Sequence, residues 1–490
     1  MKKLGIAAAI AAGTAMVAAA TGFAGNVSLQ LISSDPYTNT TAADGVFINH
    51  RSEEEPDTFT AGSTIVSAFQ VARVFNGGAD DIGFATSNDG GRTWTHGFLP
   101  GLTASSTPAN TAFERVSDAS VAFDAKHSTW LISSIPLTTS LVVPTVFVNL
   151  STDGGLTWSN PVSIPQSADG HVNLDKNWTV CDNTPTSPHY GNCYTEFDNF
   201  AKDDLEMMST STDGGLTWGT PLSTGNSAKG LGGQPVVQPD GTVIVPFETI
   251  HGVIGAFRSL DGGASWSNAV TISDITFHSV AGHLRTSPLP TAEIDGSGRV
   301  YVAWEDCSFE PGCTANDIVF SSSSDGVTWS DLSRVPADPV GSGVDHFIPG
   351  LGVDKATSGS SAHLGLTYYF YPNAACTVST CRLDAAFISS VDGGATWSNP
   401  VPLAGPMTLT WLALSSQGFM VGDYISTSFL SNGLALTTIA VASAGTPTQN
   451  LTEDMFATSP LRLGGAGASS EHMASSGASN IANQPLPSSR

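Results

Sequence analysis

The stretch STDGGLTW fills residues 151–158 and returns unchanged at residues 211–218. We call each copy of this pattern an octamer, although one of them is a residue shorter. The remaining copies are SNDGGRTW at 87–94, SLDGGASW at 259–266, SSDGVTW at 323–329 and SVDGGATW at 390–397. Their aligned acidic residues are Asp89, Asp153, Asp213, Asp261, Asp325 and Asp392. Successive copies begin about 50 to 70 residues apart, a spacing that indicates a propeller or another repeat architecture.

The composition of the octamer predicts a tight hairpin turn. Ser and Asp side chains bond backbone N–H groups of their own turn, and glycine adopts a positive φ without a Cβ clash. The Trp that ends each copy returns to a strand and packs against neighbouring structure. We therefore interpret the octamers as structural clasps, in preference to calcium or sugar sites.

Between the octamers, the chain alternates apolar and polar residues in short runs. Examples are TIVSAFQVA at 64–72 and RVYVAWEDC at 299–307, and Gly, Pro, Asn and Asp separate such runs. This pattern predicts β-strands joined by turns, and no long stretch of the sequence has helical periodicity. The expected fold class is therefore all-β.

Three further runs, at 417–429, 434–444 and 454–461, follow the last octamer, and a run at 26–35 precedes the first. If the N-terminal run completes the last four-stranded antiparallel blade, the ring closes and leaves no unpaired strand edge. We therefore predict a seven-bladed β-propeller, closed by an N-terminal strand, as a single domain over residues 26–462.

The octamers resemble the Asp-box, or bacterial neuraminidase repeat, of the sialidase-like β-propeller superfamily, and this resemblance covers nearly the whole mature chain. It implies that each box lies at the turn between the third and fourth strands of a blade, on the rim and away from the ligand. Because six is the familiar blade number of sialidases and matches six octamers, a six-bladed sialidase propeller is the alternative. In that case the last segment is an appendage.

The ends of the chain and its cysteines indicate a secreted, extracellular protein. Residues 1–24 combine a basic start with an Ala-rich apolar run, the pattern of a cleaved bacterial signal peptide. Residues 463–490 have almost no large apolar side chains, which predicts a disordered Gly/Ala/Ser-rich tail. No other segment is long enough to span a bilayer. The six cysteines predict three disulfides, namely Cys181 with Cys193, Cys307 with Cys313, and Cys376 with Cys381.

The charge balance limits the possible partners. The formal net charge is -25, and only 12% of the residues are charged. Such a surface repels nucleic acid and anionic membranes. No His spacing typical of a catalytic metal site occurs. We predict a monomer that needs no cofactor or metal and whose partner is a carbohydrate.

In a propeller, the loops that lead into the innermost strands meet around one mouth of the central channel. These segments are polar in this chain, although charged residues are scarce overall. Carboxylates, cations and an aromatic side chain that face one cavity can bind a sugar and transfer protons. The predicted site residues on these segments are Arg51, Glu55, Arg115, Asp118, Asp175, Lys176, Gln234, His283, Arg285, Asp345, His346, Asp423 and Tyr424.

For these residues the resemblance implies the chemistry of sialidases, which hydrolyse terminal sialic acids. There, an arginine cluster holds the substrate carboxylate in bidentate pairs, a Tyr is the nucleophile, a Glu takes its proton and an Asp is the general acid. The nearest matches are Arg51, Arg115 and Arg285 for the cluster, Tyr424 for the nucleophile, Asp118 for the acid, and Glu55 or Glu305 for the Glu.

We therefore expect a sialidase-like glycoside hydrolase that acts on terminal, acidic sugars of glycans. Two alternatives remain open from the sequence. The first is a polysaccharide lyase acting on uronic-acid polymers, which needs a base and a neutralising cation beside the uronate. The second is a non-catalytic propeller that binds a glycan or a protein at the same mouth.

Overall fold

The computed structural model of the protein describes residues 27–166, 170–445, 451–465 and 468–473. Within these residues the fold is all-β, and the helical elements are short 3-10 turns: Phe200–Lys202, Ala281–His283, Gly359–Ser361 and Leu409–Trp411. No helix in this part of the chain is long and apolar enough to cross a membrane. The predicted signal peptide at 1–24 lies outside the described residues.

The strands form antiparallel meanders that follow one another along the chain. The first meander comprises Ile48–Ala61, Thr64–Val74, Ala79–Ser87 and Thr95–Phe98. The second comprises Arg115–Asp124, Thr129–Leu137, Phe147–Ser151 and Val162–Ser163. The third comprises Leu174–Cys181, Cys193–Asn199, Leu205–Ser211 and Leu222–Ser223. Each octamer in this region thus begins at the end of a third strand, as expected for a clasp of the hairpin to the fourth strand.

The remaining meanders repeat this plan. The fourth begins with two short strands and comprises Gly230–Leu231, Val236–Val237, Val243–Thr249, Val253–Ser259 and Val270–Asp274. The fifth comprises Thr291–Ile294, Val300–Asp306, Asp317–Ser323 and Leu332–Arg334. The sixth comprises Asp345–Val353, Leu364–Tyr371, Leu383–Ser390 and Val401–Met407. A separate small hairpin pairs Ala413–Ser415 with Gly418–Met420.

The last meander combines the two ends of the chain. Its strands are Ser426–Phe429, Ala435–Ala442, Glu453–Thr458 and the N-terminal Leu29–Leu31. In the antiparallel register, Leu29 lies opposite Thr458 and Leu31 opposite Phe456. The prediction that the N-terminal strand pairs beside the last run is therefore confirmed. This pairing covers an edge that would otherwise expose unpaired backbone groups.

The first strands of successive meanders contact one another, and Ser426–Phe429 of the last meander contacts Ile48–Ala61 of the first. Side chains join these strands as well, since Asp57 Oδ2 accepts a hydrogen bond of 2.7 Å from the N–H of Val121 in the next meander. The first strands therefore surround a common centre, as in a propeller-like fold.

The apolar core lies in layers between neighbouring meanders. In one layer, the fully buried Trp304 of the fifth meander packs with Ile244 and Ile254 of the fourth. Burying such side chains stabilises each contact by about 1.5–3 kcal/mol per residue. The layers keep the meanders at fixed orientations, and this positions the ends of their first strands.

The octamers are closed hydrogen-bonded clasps, as predicted. At residues 151–158, Ser151 Oγ donates to Asp153 Oδ1 at 2.8 Å, and the N–H groups of Gly155 and Thr157 donate to Ser151 Oγ and Asp153 Oδ1 at 3.0 Å. Because the hydroxyl of Thr157 also donates to Asp153, the pKa of this carboxyl falls to about 2. Equivalent bonds form at Asp89, Asp213, Asp261, Asp325 and Asp392.

The three predicted disulfides are present, linking Cys181 to Cys193, Cys307 to Cys313, and Cys376 to Cys381. Each bridge is local. The first joins cross-strand partners in the third meander, where Cys181 lies opposite Cys193. All six cysteines are therefore used, and none is left as a thiol.

The prediction of a disordered tail over residues 463–490 is wrong for residues 468–473. Ala468–Ser469 pairs with Thr396–Trp397, and Glu471–Met473 pairs with Leu332–Arg334. Strand addition at a sheet edge uses backbone hydrogen bonds, so it does not need the apolar side chains that the tail lacks. Ser470 adds to this anchorage because its hydroxyl donates to Gly394 O at 2.6 Å.

Candidate functional site

The first strands of several meanders carry a β-bulge near their beginning. The pairing register shifts around Glu55, Asp118, Lys176 and Ile348. Each of these residues has a left-handed backbone, with φ of 54°, 53°, 51° and 51°. Such a conformation costs a non-glycine residue about 1–3 kcal/mol and is concentrated at functional sites. A bulge changes the direction of the side chain that it carries. The charged side chains of Glu55, Asp118 and Lys176 are therefore oriented by the same kind of backbone irregularity.

A cavity of about 370 Å³ opens where the bulges at Glu55, Asp118 and Lys176 meet. Its wall combines charged, amide and apolar side chains from the first three meanders, the segment before the fifth and the small hairpin. The lining side chains with polar or aromatic groups are Glu55, Arg73, Asn76, Ser117, Asp118, Asn173, Asp175, Lys176, Phe200, Arg285, Ser416 and Gln417. A concave site with convergent polar groups of this kind is the usual form of a small-molecule site.

Asp423 anchors two of the three cations that line the cavity. Both Lys176 Nζ and Arg285 Nη2 bind Asp423 Oδ2, and the backbone N–H of Asp423 donates to Glu55 Oε1 at 3.1 Å. Burial alone would raise the pKa of the Asp423 carboxyl, but Arg285 and Lys176 hold it well below its usual range. Asp423 therefore stays ionised and fixes the position of both cations.

Two carboxyl groups of the cavity, Glu55 and Asp175, have a pKa above the ordinary value. Burial, followed by the charge of Asp423, raises the pKa of Glu55 to about 8. Burial, followed by Asp118, raises the pKa of Asp175 to about 7. Asp118 itself accepts hydrogen bonds from the N–H of Lys176 at 3.2 Å and from Ser117 Oγ at 3.0 Å. A proton donor and an acceptor thus share one cavity, the arrangement that acid–base catalysis needs.

The three predicted arginines do not come together. Arg51 pairs with Asp454 at 2.9 Å, Arg115 pairs with Asp44, and Arg285 pairs with Asp423. Of the three, Arg285 lines the cavity, whereas Arg51 and Arg115 are absent from its described lining. The predicted arginine cluster is therefore not formed, because separate carboxylates hold its members at separate places.

Tyr424 also lies outside the described lining of the cavity. Its hydroxyl donates to Ala119 O at 3.2 Å, and its ring packs edge-on against Trp178 with centroids 5.2 Å apart. Burial, followed by the charge of Glu55, raises the pKa of the phenol well above its ordinary value. The predicted alternative base, Glu305, is likewise away from this wall, where it accepts a 2.9 Å hydrogen bond from the N–H of Ile348.

The other predicted site residues are distributed elsewhere. Gln234 Oε1 accepts a hydrogen bond from the N–H of Ala292, and His283 is an exposed residue outside the cavity lining. Asp345 Oδ1 accepts from the N–H of Asn316, and His346 is buried beside it.

His346 comes near the carboxylates of Asp317 and Asp338, a grouping compatible in spacing with a metal ion. Arg334 already supplies the positive charge there, since its Nη2 lies 2.7 Å from Asp317 and 2.9 Å from Asp338. These side chains therefore form a buried ion-pair cluster, and we assign no metal to it.

A second cavity, of about 340 Å³, lies towards the far ends of the first strands. Two of its three acidic groups, Asp57 and Asp295, are engaged in structural hydrogen bonds, and the third, Glu293, lies 3.9 Å from Lys355. Asp57 accepts from the N–H groups of Val121 and Thr58, and Asp295 accepts from the N–H groups of Ser297 and Gly359. The cavity around Asp118 is therefore the better candidate for chemistry.

Several side chains of the Asp118 cavity escaped prediction from sequence, among them Arg73 and Phe200. Arg73 donates to Gln70 Oε1 at 2.8 Å, and Gln70 in turn donates to Glu55, so that Arg73 supports the acid through an intermediate. Phe200 stands in a 3-10 turn after a second strand. Neither residue lies on a segment that leads into a first strand, and the sequence predicted site residues on those segments alone.

No family model and no curated protein matches this chain. Similar solved structures include a protein of unknown function from Dyadobacter fermentans, with 16% identity over 74% of this chain and 99% of that chain, and a TM-score of 0.47. The NanB sialidase of Streptococcus pneumoniae has 13% identity over 88% and 71% of the two chains, with a TM-score of 0.42. A polysaccharide lyase of family PL25, an ulvan lyase, has 11% identity over 87% and 94%, with a TM-score of 0.49.

Proposed function

We propose that this protein is an extracellular glycan-active enzyme, a glycoside hydrolase that takes an acidic sugar into the cavity around Asp118. One observation supports this most strongly: Glu55, Asp118 and Asp175 line the same cavity as Lys176 and Arg285. Carboxyl groups can donate and accept the protons of glycoside hydrolysis, and the cations can bind the carboxylate of the sugar.

The polarity of the cavity supports an acidic substrate. Below about pH 7, Glu55 and Asp175 are mainly protonated, so they do not offset the cations of Lys176 and Arg285. The whole chain carries a formal charge of -25. Arg73, Lys176 and Arg285 all line the cavity of this acidic chain, and their N–H groups can bind the carboxylate of a sugar.

In the proposed reaction, Glu55 gives its proton to the glycosidic oxygen as the bond to the anomeric carbon breaks. A water molecule forms the new bond to that carbon and loses its proton to Asp118. The raised pKa of Glu55 suits the acid, and the hydrogen bonds from Lys176 and Ser117 orient Asp118 as the base. Atoms and charges balance, because one water is added and one glycosidic bond is cleaved.

The sialidase version of this proposal uses Tyr424 as nucleophile, Asp118 as acid and three arginines on the substrate carboxylate. It requires the Tyr424 hydroxyl to break its hydrogen bond to Ala119 O. It also requires Arg51 to separate from Asp454, and Arg115 from Asp44. The carboxyl mechanism requires none of these movements. We therefore favour the carboxyl mechanism. An exo-acting sialidase is the alternative, and the same experiment tests it.

We also propose that the fold is a propeller of seven blades and not six. The last meander has the same four-stranded plan as the others, and the N-terminal strand supplies its fourth strand. An appendage to a six-bladed ring would not place Ser426–Phe429 between the first strands of the sixth and first meanders, both of which it contacts. Three disulfides support an extracellular location.

The test is an assay of the purified chain on sialosides and on uronic-acid oligosaccharides, with products identified by mass spectrometry. Hydrolysis adds one water per cleaved bond, whereas a lyase adds none and leaves an unsaturated sugar. We expect Asp118→Asn and Arg285→Ala to lose at least about 100-fold in kcat/KM, by analogy with other positioned catalytic groups. Activity that survives both substitutions would refute the proposed site.

Two matched variants separate the mechanisms. Arg51→Ala removes an arginine outside the cavity, and Tyr424→Phe removes a phenol that bonds backbone. The carboxyl mechanism predicts that both retain most of the activity. Loss of activity in both, with melting temperatures unchanged, would instead favour the sialidase version.

A further inference from the structure

One rim of the Asp118 cavity carries an exposed aromatic ring. Phe200 is 64% exposed, although it lines the cavity together with Asn173 and Lys176. Leu141, which is partly exposed, lines the same cavity from the neighbouring meander. The cavity thus has charged groups at its base and apolar side chains at this rim.

The turn that presents Phe200 is fixed by its own hydrogen bonds. Asn199 Oδ1 accepts from the N–H of Ala201 at 3.1 Å and from the N–H of Asn173 at 3.2 Å. Asp203 closes the turn in a left-handed conformation with φ of 57°, and its N–H donates to Phe200 O at 3.2 Å. Since Asn173 belongs to the cavity wall, these bonds hold the backbone of the turn that carries the ring next to the site.

Exposed apolar residues occur singly on most proteins, and exposure alone does not indicate binding. Leu216 is exposed to the same extent, at 63%, but it lies in an octamer turn and not among the described lining of the cavity. Phe200 differs because it adjoins the charged groups of the site. An aromatic face in that position is suited to the C–H face of a sugar ring, with which it forms apolar contact.

We infer that Phe200 forms a second sugar-binding subsite next to the acidic-sugar site. The inference rests on the proposed function and deepens it: the substrate is an acidic oligosaccharide or polysaccharide, and the sugar that adjoins the acidic residue stacks on Phe200. The subsite takes the neighbouring sugar, and it therefore requires a ligand longer than one acidic sugar. The subsite therefore contributes to binding of longer ligands alone.

The experiment compares binding by calorimetry of the wild type, Phe200→Ala, Phe200→Tyr and the control Leu216→Ala. The probes are glucuronic acid, the di- and tetrasaccharides of a uronic acid, and sialyllactose. Burial of one ring face corresponds to an affinity change of about 10- to 100-fold. We expect that loss in Phe200→Ala for the longer probes alone, near wild-type binding in Phe200→Tyr, and no change in Leu216→Ala.

Equal affinity of Phe200→Ala and the wild type for the longer probes overturns the subsite. A loss of the same size for glucuronic acid also overturns it, because the ring would then act on the first site. Failure of the wild type to bind any probe overturns the subsite together with the acidic-sugar site. Binding with the expected Phe200 dependence but without cleavage refutes the proposed hydrolysis and leaves the subsite supported.

Discussion

Three buried carboxyls in the third meander, those of Glu196, Asp198 and Glu206, allow a quantitative prediction about pH and stability. Asp198 lies opposite Glu206 in the sheet, and Glu196 is on the same face two residues earlier. All three are buried, and each of the carboxyls of Glu196 and Glu206 affects the pKa of the other. The charged groups that face them are Asp175, Asp204 and one cation, Lys176.

The direction in which stability changes with pH follows from the raised pKa values. Burial, followed by the charge of Glu206, raises the pKa of Glu196 well above its ordinary value, and burial raises that of Glu206 from 4.5 to about 8. The folded state therefore keeps a proton that the unfolded state releases above about pH 4.5. The resulting stabilisation is fully present below that pH and is lost as the pH rises to about 8. At about 1.4 kcal/mol for each pH unit, the raised pKa of Glu206 lowers the free energy of unfolding by about 5 kcal/mol over this pH range.

The perturbation is Glu206→Gln, which removes the titrating proton but keeps an amide that can bond Glu196. Urea unfolding with the disulfides intact gives the free energy of unfolding between pH 5 and pH 8. We expect the wild type to lose stability more steeply than the variant, by up to about 1.4 kcal/mol per pH unit. Parallel curves for the two proteins would refute the assignment of a buried proton to Glu206.

Three other outcomes follow from the structure. Asp153→Ala removes the clasp of one octamer and should lower the free energy of unfolding by about 1–2 kcal/mol in urea titrations, while kcat/KM stays unchanged; a loss of activity with intact stability would contradict the structural role. The kcat/KM of the wild type should fall as the pH rises through about 8, because Glu55 then loses the proton that it donates; a profile that rises there would exclude Glu55 as the acid. Gly233→Ala would place a Cβ 2.6 Å from Glu196 Cδ and should cost about 1–3 kcal/mol in the same urea titrations; an unchanged midpoint would show that this contact relaxes freely.

Local spacing made much of the fold predictable. The octamers recur at the third-to-fourth strand turns, because a turn of Ser, Asp and Gly satisfies its own backbone groups wherever it stands in a protein. The short Cys separations likewise determined the disulfides. The N-terminal strand could be assigned since a closed sheet needs a partner for the edge of Glu453–Thr458.

The site was predictable only in part. Glu55, Asp118, Asp175, Lys176 and Arg285 meet as expected, because segments that lead into neighbouring first strands share one mouth. The partners that hold the other arginines could not be read locally, since Arg51 and Asp454 are 403 residues apart in sequence and Arg115 and Asp44 are 71 apart. Five of the candidates therefore line one cavity, and their role in function stays a prediction.

Side-chain direction was the other limit. A strand sends alternate residues to opposite faces, and a single bulge reverses that alternation, so the sequence did not reveal which residue of a segment faces the cavity. Tyr424 is an example, because its hydroxyl donates to Ala119 O in the first strand of the second meander. Phe200 was missed for a related reason, as its turn follows a second strand and not a first one.

The most direct test of the central claim is a crystal structure of Asp118→Asn soaked with a uronic-acid disaccharide. We predict that the sugar occupies the cavity of about 370 Å³, with its carboxylate within hydrogen-bond distance of Lys176 or Arg285. A disaccharide found instead in the cavity of about 340 Å³ at the far ends of the first strands would contradict that claim.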